Sequence, residues 1–137
     1  MNFARLSTYS FNRYPDQASQ LGVFLTDRKG DLDPSSVIIK RLSEDDLLTR
    51  ELVAILESPL IDDDRWMCSP VYRDALMFFD RDNRVVSILN ICLECDNLMT
   101  DRGLDISLDN NAYPKLKAWL KKLGHPVEEL NMRTDNN

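Results

Sequence analysis

The chain has one histidine, four glycines and three cysteines in 137 residues. Each shortage removes a class of chemistry. The only histidine, His125, falls in a segment read as an exposed loop, between Gly124 and Pro126. That is a thin basis for a Ser/His or Cys/His dyad, and no Gly-x-Ser-x-Gly elbow is present. The glycines are scattered, so no glycine-rich loop can cradle a phosphate. An odd number of cysteines does not fit a disulfide framework. No stretch approaches the roughly 18 consecutive apolar residues of a membrane span. The opening residues Met1 to Ser7 lack the extended apolar core of a secretory signal. The expectation is a cytoplasmic protein, in a compartment where thiols stay reduced.

Positive charge is also in deficit. Seventeen Lys and Arg stand against 23 Asp and Glu, giving a net charge of −6 and a pI near 4.7. Such a surface repels phosphate, so nucleic acid is not an expected partner. Apolar residues make up 43% and charged residues 29%, the balance of a soluble globular protein. The length fits one domain over 1–137, with an irregular arm at 1–20 and a frayed tail at 131–137.

What the chain does have is concentrated between Trp66 and Met99. Ala75 to Phe79 and Val85 to Leu93 are β-prone runs joined by Asp80-Arg81-Asp82-Asn83-Arg84, the pattern of a hairpin. Both runs are apolar at nearly every position, which predicts central strands buried on two faces. Placing Asp80 opposite Val85 sets Met77 opposite Ile88 and Ala75 opposite Asn90. Extended further, this register brings Cys68 near Cys95. Pro70 has no N–H for a ladder, so regular pairing should stop before it.

Cys68, Cys92 and Cys95 therefore meet at one end of the hairpin, and three chemistries fit them. They can be free, buried cysteines acting as small apolar groups. They can form an oxidisable pair, either Cys92 with Cys95 or one of them with Cys68, although Glu94 disfavours thiolate. They can also bind zinc, with a fourth ligand from His125, Asp96 or water; no second Cys-x-x-Cys is present to complete a tetrahedron.

The segment resembles a group of small, uncharacterised bacterial proteins. The resemblance rests on Cys68 and Pro70, the apolar strand Ala75–Phe79, the charged turn, and Val85 followed by Ile91-Cys92-Leu93-Glu94-Cys95. It covers about a quarter of the chain and implies a shared hairpin and a bacterial source. It implies no activity.

Elsewhere, Leu21–Thr26 and Ser36–Arg41 read as strands. The Asp27 to Pro34 loop between them lacks the EF-hand spacing, so its aspartates are expected to form turns rather than bind calcium. Ser43 is placed as a helix cap ahead of Glu44, Asp45 and Asp46. Leu48, Leu52, Ile55 and Leu56 give that helix its apolar face, and Ser58-Pro59 ends it. A short extended piece is expected at Ile106–Leu108. A second helix runs from about Pro114 to Leu123, with Gly124 as its left-handed cap. Its apolar stripe is Leu116, Trp119, Leu120 and Leu123. Lys115, Lys117, Lys121 and Lys122 form a solvated face opposite. The order strand, strand, helix, strand, strand, helix predicts an α+β fold: a mostly antiparallel four-stranded sheet with both helices on one face.

Nothing singles out a catalytic pair of carboxylates. The leading expectation is a small acidic protein-binding module of the immunity or antitoxin kind. It would cover a basic toxin or effector through Asp62, Asp63 and Asp64, with Trp66 as anchor. No cofactor is expected on that reading. The alternative is a thiol-redox or zinc module built on Cys68, Cys92 and Cys95.

Overall fold

The computed structural model describes residues 2–64 and 67–127. Six strands form one antiparallel sheet among them: β1 (Arg5–Ser10), β2 (Val37–Ser43), β3 (Asp74–Phe79), β4 (Val85–Cys92), β5 (Asn97–Thr100) and β6 (Asp105–Ile106). Their spatial order is β2-β1-β3-β4-β5-β6. Helix α1 (Leu47–Leu56) follows β2, and α2 (Tyr113–Leu123) follows β6 and a short 3-10 turn at Asn110–Ala112. The fold is α+β as expected, but the sheet has six strands rather than four. No helix among the described residues is long and apolar enough to cross a membrane.

The hairpin occupies the centre of the sheet. Met77 pairs with Ile88 and Ala75 with Asn90, the predicted register. At the turn the pairing slips, and Phe79 rather than Asp80 faces Val85. The reason is local: the Asp80 carboxylate accepts from the Asp82 and Arg84 amides, which draws Asp80 into the turn. Asn83 takes a left-handed conformation there, which asparagine tolerates well.

Strand β1 lies within the segment expected to be an irregular arm. It sits between β2 and β3, and Leu6, Ser7, Thr8 and Ser10 are buried. Its polar sequence hides a central strand because Thr8 and Ser10 face a buried polar network instead of an apolar core. The expected strand at 21–26 is not one. Val23, Phe24 and Leu25 pack over the outer face of the sheet, and the only bridge nearby joins Thr26 to Leu32. Leu25 donates its amide to the Asn90 side chain rather than to a strand. The aspartates of this connection do form turns, with Asp27 accepting from the amides of Lys29 and Asp31.

Helix α1 starts three residues later than expected. Ser43 ends β2, and Asp46 is the cap, accepting from the Leu48 amide at 2.9 Å. Ser43 contributes its carbonyl instead, which accepts from the Thr49 hydroxyl. Helix α2 ends at Gly124 with φ 110°, the left-handed cap its sequence predicts.

The main core lies between the helices and one face of the sheet. It joins Leu52 and Ile55 of α1 and Leu116, Trp119, Leu120 and Leu123 of α2 to Leu6, Leu76, Phe78, Leu89, Ile91 and Leu98. Trp119 donates its indole N–H to the Leu48 carbonyl, tying α2 to α1 at 2.8 Å. A smaller cluster on the opposite face holds Phe11, Leu25, Tyr72, Ala75, Met77, Ile88 and Cys92. The 11–36 connection between β1 and β2 covers that face.

Candidate functional site

The segment from Leu60 to Cys68 crosses the surface between α1 and β3. Its apolar residues point outward: Ile61 is 85% exposed, Met67 is fully exposed, and Leu60 is more than half exposed. Asp63 and Asp64 are exposed beside them, and Asp62 is half-buried. Trp66, the expected anchor, lies outside the described residues.

The backbone of residues 61–64 is held at several points. The buried Asp109 carboxylate accepts from the amides of Ile61 at 2.9 Å and Asp62 at 2.7 Å. The Asn110 amide donates to the Asp62 carbonyl at 2.7 Å, and the Asn110 side chain bonds both the amide and the carbonyl of Asp64. Asp109 also caps the 3-10 turn through the Asn111 amide. One carboxylate and one amide side chain thus replace the partner strand that this stretch lacks.

The local electrostatics are unfavourable at one point. The Asp62 carboxyl is raised above its ordinary range, first by the charge of Asp64 and then by a hydrogen bond shared with it, with burial and Asp109 adding. Asp109 moves the other way. The Asp62 amide is the main cause, with further amide donors from Ile61 and Asn111, and partial burial opposes them. Asp96 is raised by burial, which a hydrogen bond from the Asn110 side chain partly offsets. Asp62 and Asp64 therefore concentrate negative potential next to exposed apolar groups.

The far end of the segment is covalently fixed. Cys68 forms a disulfide with Cys95, Cα atoms 5.8 Å apart, across a separation of 27 residues. The hairpin register brings these two residues together, as the sequence predicts. Their pairing differs from the expected reduced state. Cys95 lies in the turn between β4 and β5, and Cys92 closes β4 as a buried free thiol. Burial pushes the Cys92 thiol up, and the charge of Glu94 adds to this, while the amides of Val71, Cys95 and Glu94 pull it down. Its neighbour Tyr72 is pushed up to about 12, chiefly by burial, and its hydroxyl donates to Asn97 at 2.7 Å. In this oxidised form Cys68 and Cys95 have no thiolate to offer zinc. Among the described residues, no group of three His, Cys, Asp or Glu side chains is arranged to hold a metal ion.

His125 is buried, contrary to the exposed loop expected for it. Just beyond α2 the chain turns down onto the sheet. The ring bonds Asp74 Oδ1 through Nδ1 at 2.7 Å and Thr8 Oγ1 through Nε2 at 2.9 Å. Arg13 closes the network with paired contacts to both Asp74 oxygens at 3.2 Å and donates also to Ser10 Oγ. A carboxylate paired with Arg13 only accepts, so Nδ1 carries the proton shared with Asp74. In the neutral ring, Nε2 then accepts from the Thr8 hydroxyl. The residue types and order match a hydroxyl–imidazole–carboxylate relay. However, Thr8, Asp74 and His125 are all buried, and the hydroxyl opens onto no surface. The arrangement pins β1, β3 and the end of α2 to one another. Sequence gave no signal for it, because His125 lies 51 residues from Asp74 and 117 from Thr8.

The lysine face of α2 is largely exposed, as expected, and one of its residues reaches across to α1. Lys122 bonds Glu51 of α1 at 3.0 Å, beside a groove of about 340 Å³ lined by Ile55, Ser58, Lys115 and Trp119. Neither the Asp62–Asp64 run nor any of the cysteines borders it.

The structure thus brings Asp62, Asp63, Asp64 and Cys68 onto one surface segment, joins Cys68 to Cys95, and leaves Cys92 buried beside them. Asp109 and Asn110, which hold the segment, have no sequence signature beyond a turn-forming Asp-Asn-Asn. Comparison of the chain with protein-family models, curated proteins and solved structures finds no match.

Proposed function

We propose that this chain is a cytoplasmic protein-binding module that presents residues 60–68 to a basic protein. It would act by covering its partner's surface, as an immunity protein or antitoxin does, rather than by turning over a substrate. The observation that carries this reading is the run of three acids at Asp62, Asp63 and Asp64 beside the exposed Ile61 and Met67, with the Asp62 carboxyl raised by its neighbours. Like charges held together are costly in the free protein, and a lysine or arginine from a partner relieves that cost. Ile61 and Met67 add apolar area that water currently covers, which suits the centre of an interface. The backbone clamp from Asp109 and Asn110 fixes residues 61–64 beforehand and lowers the entropy cost of docking.

The test uses a basic protein encoded beside this one, co-purified and then measured by stopped-flow association. Changing Asp62, Asp63 and Asp64 together to Asn should slow association by roughly tenfold or more at low salt and flatten its salt dependence. Identical rates and salt slopes for the variant and the parent would remove this segment from the interface.

A further inference from the structure

We propose that the three cysteines form an internal thiol–disulfide relay, in which Cys92 attacks Cys95 and releases Cys68 as a free thiol on the exposed segment. The inference stands whether or not residues 60–68 dock a partner.

The geometry assigns each sulfur a role. Cys92 is the free thiol, buried in the outer-face cluster, and Cys95 packs against that same cluster. The Cys92 sulfur accepts from the Cys95 amide, so it lies against the residue that carries the disulfide. It also accepts from the amide of Val71, three residues after Cys68. The thiol therefore sits between the two chain segments that the disulfide joins. Burial holds the Cys92 thiol above its ordinary range and the surrounding amides only partly offset this, so the nucleophilic thiolate is a small fraction that grows as pH rises. Cys68 is exposed, so its departing sulfur is solvated by water. A leaving thiolate stabilised in this way departs faster.

The step needs no outside reagent. The Cys92 thiol gives its proton to hydroxide, and its sulfur attacks Cys95 Sγ. The Cys92–Cys95 bond forms as the Cys68–Cys95 bond breaks. Cys68 leaves as a thiolate and takes up a proton from water. One disulfide and one thiol are present before and after, so no electrons enter or leave. The covalent staple between residues 68 and 95 opens, and a short loop within the β4–β5 turn closes in its place. A buried thiol has become an exposed one.

Cleavage after arginine makes the two states separable. Cys68 lies in the fragment 66–73, whereas Cys92 and Cys95 share the fragment 85–102. Protein purified without reductant is treated natively with N-ethylmaleimide at about pH 8, quenched in acid, digested and weighed without reduction. The expected result is an unlinked 66–73 fragment carrying one maleimide, and an 85–102 fragment lighter by two hydrogens. Labelling should speed up as pH rises through the thiol range. Linked fragments with the label on Cys92 would overturn the relay. So would labelling that appears only after denaturation, or three labelled thiols, since the last leaves no disulfide to exchange. In Cys92→Ala the oxidised chain has no thiol, so native labelling of Cys68 should vanish. Persistent labelling would mean reduction rather than exchange. The parent-chain mapping decides the question if that variant does not fold.

Discussion

Two carboxylates in the same network, Asp62 and Asp109, are shifted in opposite directions, and their effects on stability have opposite signs. Asp62 is raised, so the folded chain holds its proton more tightly than the unfolded chain does. Its ionised form therefore subtracts stability at neutral pH, and protonation relieves this as pH falls through its raised value. Asp109 is lowered. It contributes stability above the ordinary carboxylate range and loses it as pH falls through its folded value. Asp62→Asn should therefore melt slightly higher than the parent at pH 7, with the gap closing as the solution is acidified. Melting curves across that range check the sign; a variant that melts lower at neutral pH would contradict it.

The buried network around Asp74 gives a second prediction at this scale. Asp74 bonds Arg13 and His125 together, and it is 2% exposed. Asp74→Ala strands a guanidinium and an imidazole with no carboxylate between them. Removing one partner of a buried pair costs about 3–5 kcal/mol, because the remaining charge is uncompensated. Urea unfolding should show that loss, and Asp74→Asn, which keeps an acceptor in place, should lose less.

Among the elements, the 11–36 connection behaves as a cover rather than a strand. It is held to the sheet by polar side chains at specific points. Asn90, fully buried, accepts from the Leu25 amide at 2.8 Å and donates to the Met99 carbonyl at 3.2 Å. Asn12 takes a left-handed conformation and bonds the carbonyls of Gln20 and Tyr72. Asn90→Ala leaves the buried Leu25 amide and the half-buried Met99 carbonyl without those partners, at a cost of about 1–3 kcal/mol. Hydrogen exchange should then quicken most at Leu25, while amides of the β3–β4 ladder keep their relative protection. Equal loss of protection across the sheet would mean that Asn90 supports the fold as a whole.

The same elements show which sequence patterns were readable. The hairpin register was legible because two apolar runs and an Asp-rich turn leave one pairing that buries both faces. Helix α2 was legible because proline, a periodic apolar stripe and glycine mark its start, face and end. Strand β1 was not, because beyond Leu6 its inward residues are Thr8 and Ser10. Those are buried only because Arg13, Asp74 and His125 reach them from elsewhere in the chain. Leu21–Thr26 misled for the converse reason. It has strand composition, but the adjoining sheet face needed a lid and offered no edge.

For the whole molecule, the disulfide makes a prediction about mass and stability together. Protein purified without reductant should weigh two hydrogens less than the reduced chain. Breaking a bond that spans 27 residues should cost roughly 3 kcal/mol, from the freedom restored to the unfolded chain. An unshifted native mass would place the molecule in its three-thiol form. A mass higher by one zinc would make the cysteines a metal site. The acidic balance acts at this scale too, since a net charge of −6 sets the long-range field that a basic partner meets before any contact forms.

The sequence by itself determined the α+β class, the central hairpin with its register away from the turn, the second helix with its glycine cap, and the proximity of Cys68 to Cys95. All of these follow from local periodicity, turn chemistry and short-range pairing. Only the tertiary structure decided that the sheet has six strands, that Asp109 and Asn110 clamp the acidic segment, and that His125 is buried against Thr8 and Asp74. Those contacts link residues dozens of positions apart through single hydrogen bonds. A polar side chain carries no mark in the sequence of whether its partner is water or a distant residue in the fold.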